Sequence, residues 1–452
     1  MRACIYCSAW LLMLTAPSVE AQDAAPDSPP TAAEVALAAP MGESEISPDM
    51  SLSMSPDELA ALGIDASAPA VDPALRFNGF ADFGFGTFIG PKNSYWRASG
   101  AVPGHSSFFV GNLNLYAYKQ LTETLRTMIE IRFTYLPNGS GAFGFEPPQS
   151  TEAFDYTDYG RVTRWGSIIM QRAYAEWAPH ALFTIRGGQF LTPYGVWNVD
   201  HGSPVFIPVR RPWSIGVGWI PEKQTGLELF GRAVLSASST LGYHLTVSNG
   251  SGPISEYSDL DENKALGGRV FWELRNRGIG WARLGASGYY GRDTNSLYQV
   301  KLNPNNSFSS GETIHSQFDS LTFAADFTWD IGGLHVQTEW IVNQRAYTEK
   351  GRAVRQTLAN RPVIPSDILS WGGYAIIGYR FSWLGIMPFV QGERAIGDLE
   401  YQKLKLWEFQ IGVNIRPVNM FVLKAAFEHV RFQGDTQVDP NNSIMTQAAW
   451  AF

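Results

Sequence analysis

The chain has 452 residues, of which 13% are aromatic and only 17% charged, with 44 glycines and a formal net charge of −8. Beyond the N-terminus no apolar stretch approaches the roughly 20 residues of a membrane-spanning helix, which excludes a helical membrane protein. Both cysteines, Cys4 and Cys7, lie at the N-terminus, which excludes disulfides and cysteine metal sites from the rest of the chain.

Residues 1–21 have the features of an export signal. Arg2 supplies the positive start, residues 5–16 form a short apolar run, and small or apolar residues end at Ala21. We therefore predict a signal peptide over residues 1–21 and a mature chain that begins at Gln22.

Residues 22–74 form a lead of different composition. Positions 22–72 hold ten acidic residues, no Lys or Arg and no aromatic residue. Such a composition buries too little apolar surface to offset the entropy of ordering, so we expect a mostly flexible periplasmic segment. Ser55-Pro56-Asp57-Glu58 has the spacing of a capping box and predicts one short helix there. Either a plain linker or a docking element fits this segment.

From Leu75 to Phe452 the chain alternates between apolar and polar residues, as strands with two unlike faces do. The alternation predicts sixteen strands, at 75–89, 106–119, 123–136, 165–178, 181–191, 223–234, 239–249, 265–275, 280–291, 317–329, 333–345, 370–381, 385–395, 404–416, 419–431 and 442–452. These lengths exceed the usual 5–6 residues of a globular strand and match the 9–11 residues of a tilted membrane strand. A soluble two-sheet protein is therefore the weaker alternative.

The connections also alternate in length, with seven short turns between eight longer loops. This is the arrangement of an even-numbered barrel with both termini on one side, short turns in the periplasm and long loops outside. The sequence thus predicts an all-β, transmembrane antiparallel up-and-down β-barrel of about sixteen strands over residues 75–452. Sixteen strands leave an aqueous channel, whereas about eight fill with their own side chains.

One face of the predicted strands is polar, with acids and arginines interspersed. It includes Asp82, Asn112, Asn114, Arg126, Glu130, Arg132, Arg172, Glu176, Arg186, Glu228, Arg269, Asp326, Glu339, Glu393, Glu408, Lys424 and Glu428. We expect these side chains to face the lumen, where most of them pair with one another as a solvated wall.

The third long loop, residues 192–222, is rich in Pro, Gly and Trp and too apolar for a freely solvated connection. Loops beyond about 12–15 residues are usually functional or disordered, and this one has the residues to pack. Its Asp200-His201 pair suggests a turn cap, with a catalytic pair as the less favoured reading, because adjacency in sequence supplies no hydrogen-bond geometry. The seven histidines have no zinc-site spacing.

The chain ends on Trp450-Ala451-Phe452, an alternating strand that resembles the C-terminal assembly signal of bacterial outer-membrane barrels. With the third loop, this makes the chain similar to Gram-negative outer-membrane porins, in which that loop folds into the lumen. Gly187-Gly188-Gln189-Phe190 and Pro193-Tyr194-Gly195 resemble the strand-to-loop stretch of the phosphate-selective porin group. The resemblance implies a pore constriction. Its candidate residues are Arg210, Arg211, Asp200, Arg186, Arg172 and Arg132.

The resemblance implies a protein of the Gram-negative outer membrane that is a channel and not an enzyme, without cofactor or metal. We expect passive diffusion of small hydrophilic solutes and ions, with a selective anion or phosphate channel as the alternative and a barrel enzyme as the least favoured one. Expected partners are membrane lipid and lipopolysaccharide, the permeating solutes, and two further copies in a homotrimer, with no nucleic acid.

Overall fold

The computed structural model describes residues 74–89, 106–134, 167–199, 202–216, 219–250, 263–302, 308–349, 367–399, 402–433 and 438–452. The predicted signal peptide, and all of the predicted lead except Ala74, lie outside these residues, as do Asp200 and His201. Within the described ranges, no helix has the length and apolar character needed to cross a membrane.

Sixteen strands form one sheet. They are β1 (Arg76–Ile89), β2 (Ser107–Gln120), β3 (Leu125–Thr134), β4 (Ser167–His180), β5 (Phe183–Leu191), β6 (Lys223–Ser236), β7 (Ser239–Ser248), β8 (Ala265–Asn276), β9 (Gly280–Leu302), β10 (Phe308–Ile331), β11 (Leu334–Tyr347), β12 (Asp367–Tyr379), β13 (Met387–Leu399), β14 (Gln402–Val418), β15 (Phe421–Gln433) and β16 (Val438–Ala451). Each strand pairs with the next one in the chain, and β16 pairs with β1, so the sheet closes into a barrel. All sixteen pairs of neighbouring strands are antiparallel, as in β1 with β16 and β1 with β2. The predicted sixteen-stranded up-and-down barrel is confirmed.

The two faces of the barrel wall are reversed relative to a water-soluble protein. In β15, Leu423 and Phe427 are exposed, whereas Lys424 and Glu428 between and beside them are buried. Water-soluble proteins almost never bury Lys and Glu unless they are paired. An apolar outer face and a polar inner face are the pattern of a transmembrane barrel.

The C-terminal residue closes the cylinder. The amide of Phe452 donates to the carbonyl of Gly79 at 2.9 Å, and the amide of Gly79 donates to the Phe452 carbonyl at 2.8 Å. A Cβ on Gly79 would lie 3.0 Å from Phe452 Cζ and would overlap the Asn114 carbonyl oxygen. Glycine at position 79 therefore makes room for the terminal ring on the first strand.

The long connections differ from prediction in three hairpins. The predicted connection at 396–403 is reduced to residues 400–401 between β13 and β14, and the one at 432–441 to residues 434–437 between β15 and β16. The predicted loop at 292–316 is mostly strand, because β9 and β10 continue to Leu302 and from Phe308. Residues 292–302 do not alternate between apolar and polar residues, so the sequence pattern did not predict a strand there. A β-ribbon that extends beyond the membrane needs no apolar face. The segment between β5 and β6 holds one short helix, α1 (Trp213–Gly216).

Candidate functional site

The inner wall of β3 to β7 carries a chain of alternating charges. Arg126 of β3 pairs with Glu176 of β4. Arg186 of β5 pairs with Glu176 at 2.9 Å and with Glu228 of β6 at 2.8 Å. His244 of β7 continues the chain with Nδ1 at 2.7 Å from Glu228. All four Arg and Glu side chains are buried, and each charge is compensated by an opposite charge on a neighbouring strand.

A second network lies on β2 to β4. Arg172 donates to Glu130 at 2.6 Å, and the Asn114 amide donates to the same carboxylate at 2.5 Å. Arg132 donates to the Asn112 side-chain oxygen at 2.6 and 2.9 Å. Arg172 therefore faces a carboxylate, whereas Arg132 contacts a neutral amide. This difference leaves more of the Arg132 charge uncompensated.

The segment from Thr192 to Glu222, which we call the inner segment, contacts strands other than β5 and β6, the two that it connects. Tyr194 Oη lies 2.6 Å from the Thr246 hydroxyl of β7. Arg269 of β8 donates to the Gly195 carbonyl at 2.5 Å. The Trp197 amide donates to the Glu339 carboxylate of β11 at 2.9 Å. These partners belong to the buried face of their strands.

The second half of the inner segment is bound to β13, β14 and β15. The amides of Trp213 and Ser214, which begin α1, donate to Glu393 of β13 at 2.9 and 2.5 Å. Asn414 of β14 donates to the Ile207 carbonyl at 2.9 Å. Further donors to this segment are Lys424, which reaches the Pro208 carbonyl at 3.1 Å, and Arg416, which reaches the Pro204 carbonyl at 2.5 Å.

Apolar packing reinforces these hydrogen bonds. Trp197 and Ile207 of the inner segment pack with buried residues of β12, β13 and β15, including Tyr374 and Phe389. Trp219 packs with a second set on β11 and β13 to β15, which consists of Ile341, Ala395, Leu406, Val430 and Phe432. The inner face of β11 to β15 is thus partly apolar, in contrast to the charged inner face of β3 to β7. Burial of this surface holds the segment against one side of the barrel.

Arg210 and Arg211 are adjacent in sequence but have different surroundings. Arg210 lies 3.3 Å from Glu408, also pairs with Glu428, and has its guanidinium carbon 4.4 Å from the centroid of Trp213. Arg211 donates to Asn198 at 3.2 Å and lies 3.8 Å from Glu222. The Arg210 charge is therefore bound to the wall.

Burial is the main effect that lowers the pKa of both guanidinium groups. Glu408 opposes this effect at Arg210, and Glu222 opposes it at Arg211. The positive charge of Arg132 lowers the pKa of Arg211 further, which places Arg132 and Arg211 within each other's field. Because 29% of each loop arginine side chain stays exposed, both remain charged at neutral pH.

The six predicted constriction residues thus separate into groups. The positive charges of Arg132 and Arg211 repel each other. Arg210 is paired with two carboxylates. Arg172 and Arg186 are paired with carboxylates of the barrel wall. Asp200 lies outside the described residues, so its role stays a prediction. The sequence reasoning did not find the anchoring role of Glu393, Glu408 and Glu428. The sequence feature that indicates such anchoring is the presence of apolar residues on both faces of β11 to β15.

No family model matches the sequence, and no curated protein matches it. Among solved structures, it is similar to the outer-membrane expressed OmpT of Vibrio cholerae, at 8% identity and a TM-score of 0.50, over 84% of this chain and 97% of that one. The trimer form of OmpT, an outer membrane protein of Vibrio cholerae, gives 10% identity, 84% and 99% coverage and a TM-score of 0.50. An anion-selective porin from Comamonas acidovorans has 10% sequence identity and a TM-score of 0.49, over 84% of this chain and 99% of that one. The two likenesses with a TM-score of 0.50 are evidence for the fold.

Proposed function

We propose that this protein is an outer-membrane porin that lets small hydrophilic solutes and ions diffuse through a water-filled lumen. The observation that carries the proposal is that the inner segment is bound to one side of a sixteen-stranded barrel. A barrel of this strand number is wider than its own side chains fill. A segment bound to β7 through β15 narrows the lumen and leaves the passage on the side of β2 and β3, where Arg132 and Asn112 are partly exposed.

The proposed passage is narrowest beside Arg211. The inner segment carries this residue, and Arg132 lies on β3. Arg132 is bound to Asn112, whereas Arg211 is bound to Asn198 and lies beside Glu222. Two cations beside one partly exposed acid, Glu222, favour small anions only weakly, because the buried Glu339 also acts on Arg211 and because exposed charges are screened by salt. The passage is therefore a general one with weak anion preference.

A selective anion or phosphate channel is the second candidate. Two partly exposed arginines, Arg132 and Arg211, favour it, because the side-chain contact of Arg132 is to a neutral amide. The many carboxylates of the inner wall weigh against it, because a strong anion filter requires an excess of one sign of charge.

A salt-gradient experiment in planar bilayers tests both candidates. The wild type should show a small reversal potential of the anion-selective sign, and Arg132→Gln/Arg211→Gln should move it toward the cation-selective sign. Arg394→Gln/Arg431→Gln removes two charges from the outer face and should leave the potential unchanged. A large wild-type anion selectivity that both passage substitutions abolish would favour the filter. An unchanged potential in the passage variant would contradict the assigned position of the passage.

The proposal includes no enzymatic step, cofactor or metal. We propose a homotrimer as the assembled form, by analogy with the trimer form of the Vibrio cholerae protein. Light scattering of the detergent-solubilised protein measures this directly, and a monomeric mass would refute it.

A further inference from the structure

The outer face of the barrel carries three cations on neighbouring strands. Arg394 of β13 lies directly opposite Trp407 of β14, and Trp407 lies directly opposite Arg431 of β15. Lys405 lies two residues before Trp407 on the same face of β14. Trp407 is 52% exposed, which identifies this face as the outward one. The three positive charges therefore surround one tryptophan on the lipid-facing surface.

The Arg394 guanidinium lies between two indole rings. Its Cζ is 4.2 Å from the centroid of Trp407 and 5.5 Å from the centroid of Trp371 on β12. Trp340 of β11 stacks on Trp371 with centroids 6.3 Å apart. Cation–π contact offsets part of the cost of placing a guanidinium near hydrocarbon. The Nε of Arg394 has no hydrogen-bond partner among the described residues.

The outward Arg292 of β9 provides a comparison within the same barrel. Arg292 donates to both carboxylate oxygens of Asp319 on β10, at 2.7 and 3.1 Å. In the described part of the chain, no carboxylate makes such a pair with Arg394, Lys405 or Arg431. The cluster thus presents uncompensated positive charge, which is costly at the bilayer centre and tolerated near the interface.

The height of the cluster agrees with an interfacial position. Eleven positions of β14 separate Trp407 from Val418 at the short turn to β15. At about 3.3 Å per residue and a tilt of about 40°, this corresponds to about 28 Å along the barrel axis. The apolar band of such barrels is about 25 Å tall. Arg394, Lys405 and Arg431 therefore lie at the headgroup level, on the side of the long connections.

We infer that Arg394, Lys405, Arg431 and the flanking tryptophans form a binding site for a lipid with a phosphorylated headgroup. Arginine forms paired hydrogen bonds with phosphate oxygens, and lysine adds a point charge. The indole rings offer flat apolar surfaces to the adjoining acyl chains or sugar ring. The inference rests on the proposed membrane orientation, in which the long connections face outward, and it is independent of what passes through the lumen.

The test is lipid retention in native mass spectrometry of the detergent-purified full-length protein. The probe is diphosphoryl lipid A, with phosphatidylglycerol as a second lipid phosphate and inorganic phosphate as a soluble competitor. Arg394→Gln/Lys405→Gln/Arg431→Gln should lower lipid A retention at least about tenfold. The matched control, Lys119→Gln/Arg275→Gln/Arg277→Gln, removes three charges from the opposite rim and should retain lipid as the wild type does.

A Trp371→Ala/Trp407→Ala variant keeps every charge and separates a built site from general attraction. It should lose retention several-fold. Equal retention in the site and control variants, or displacement of bound lipid A by millimolar inorganic phosphate, would overturn the inference. Heat-modifiable migration in gels reports folding, and bilayer conductance of the same samples reports the pore. A conducting site variant with unchanged lipid retention would refute this site alone, whereas a non-conducting wild type would refute the proposed channel.

Discussion

Replacing Glu393 by Ala should release the inner segment without opening the barrel. The buried Glu393 carboxylate accepts both amides that begin α1, at 2.9 Å from Trp213 and 2.5 Å from Ser214. It also acts electrostatically on Arg210, whose positive charge it favours. No strand pairing depends on this side chain, so the sixteen-stranded ladder should persist.

The magnitude follows from the two lost hydrogen bonds. Leaving a buried donor without its partner costs about 1–3 kcal/mol, and bonds to a charged acceptor lie at the upper end. Because the released amides can reach lumen water, about 3 kcal/mol for the pair is a reasonable sum. That corresponds to about a 100-fold rise in the population of the detached segment.

Limited trypsin digestion measures this population, because the Arg210–Arg211 bond lies within the segment. The wild type in detergent should resist cleavage there, and Glu393→Ala should be cut on the order of 100-fold faster while the barrel stays heat-modifiable. Glu273→Ala is the matched control, since Glu273 of β8 pairs with Arg232 at the turn end and has no hydrogen bond or ion pair with the described residues of the segment. Equal cleavage of Glu393→Ala and the control would refute the tether.

Three further outcomes are expected. Burial raises the pKa of Tyr194 from 10.0 to about 12, so the contribution of this side chain to stability is intact below pH 10 and is lost as the pH rises toward 12. The difference in phenolate absorbance between the wild type and Tyr194→Phe should titrate near pH 12. A midpoint near pH 10 would contradict this. Gly195→Ala should make the inner segment sensitive to trypsin, because the φ of Gly195 is +71° and a Cβ there would overlap Glu339. The strained backbone destabilises the bound segment by at least about 1 kcal/mol. A variant as resistant to trypsin as the wild type would contradict this. Deleting Phe452 removes two backbone bonds to Gly79 and should lower the yield of heat-modifiable protein several-fold, with an unchanged yield as the contrary result.

Much of the barrel follows from the sequence because its walls obey a local rule. Strand side chains alternate between faces, and a membrane barrel has an apolar outside and a polar inside along every strand. Leu321, Phe323 and Ala325 against Thr322 and Asp326 express this rule in β10, and all sixteen strands are found where it predicts them. The rule fails for residues 292–316, where the hairpin continues beyond the apolar surface.

The contacts of the inner segment could not be predicted in this way. Trp213 and Glu393 are 180 positions apart, and nothing local to either residue indicates the other. The composition of the segment predicts packing but does not select its partners. The buried Tyr374 and Phe389 on the inner face are the clue that one side of the lumen is apolar. The distinction between Arg172 and Arg132 likewise depends on which neighbour the register places beside each.

Conductance of the purified wild-type protein in planar bilayers tests the central claim most directly. A partly narrowed, water-filled barrel predicts stepwise insertions with a current linear in voltage and a conductance that rises in proportion to salt concentration. Passage of small polyethylene glycols, with exclusion of larger ones, should accompany it. Insertion of folded, heat-modifiable barrels that carry no current at any salt concentration would contradict the account.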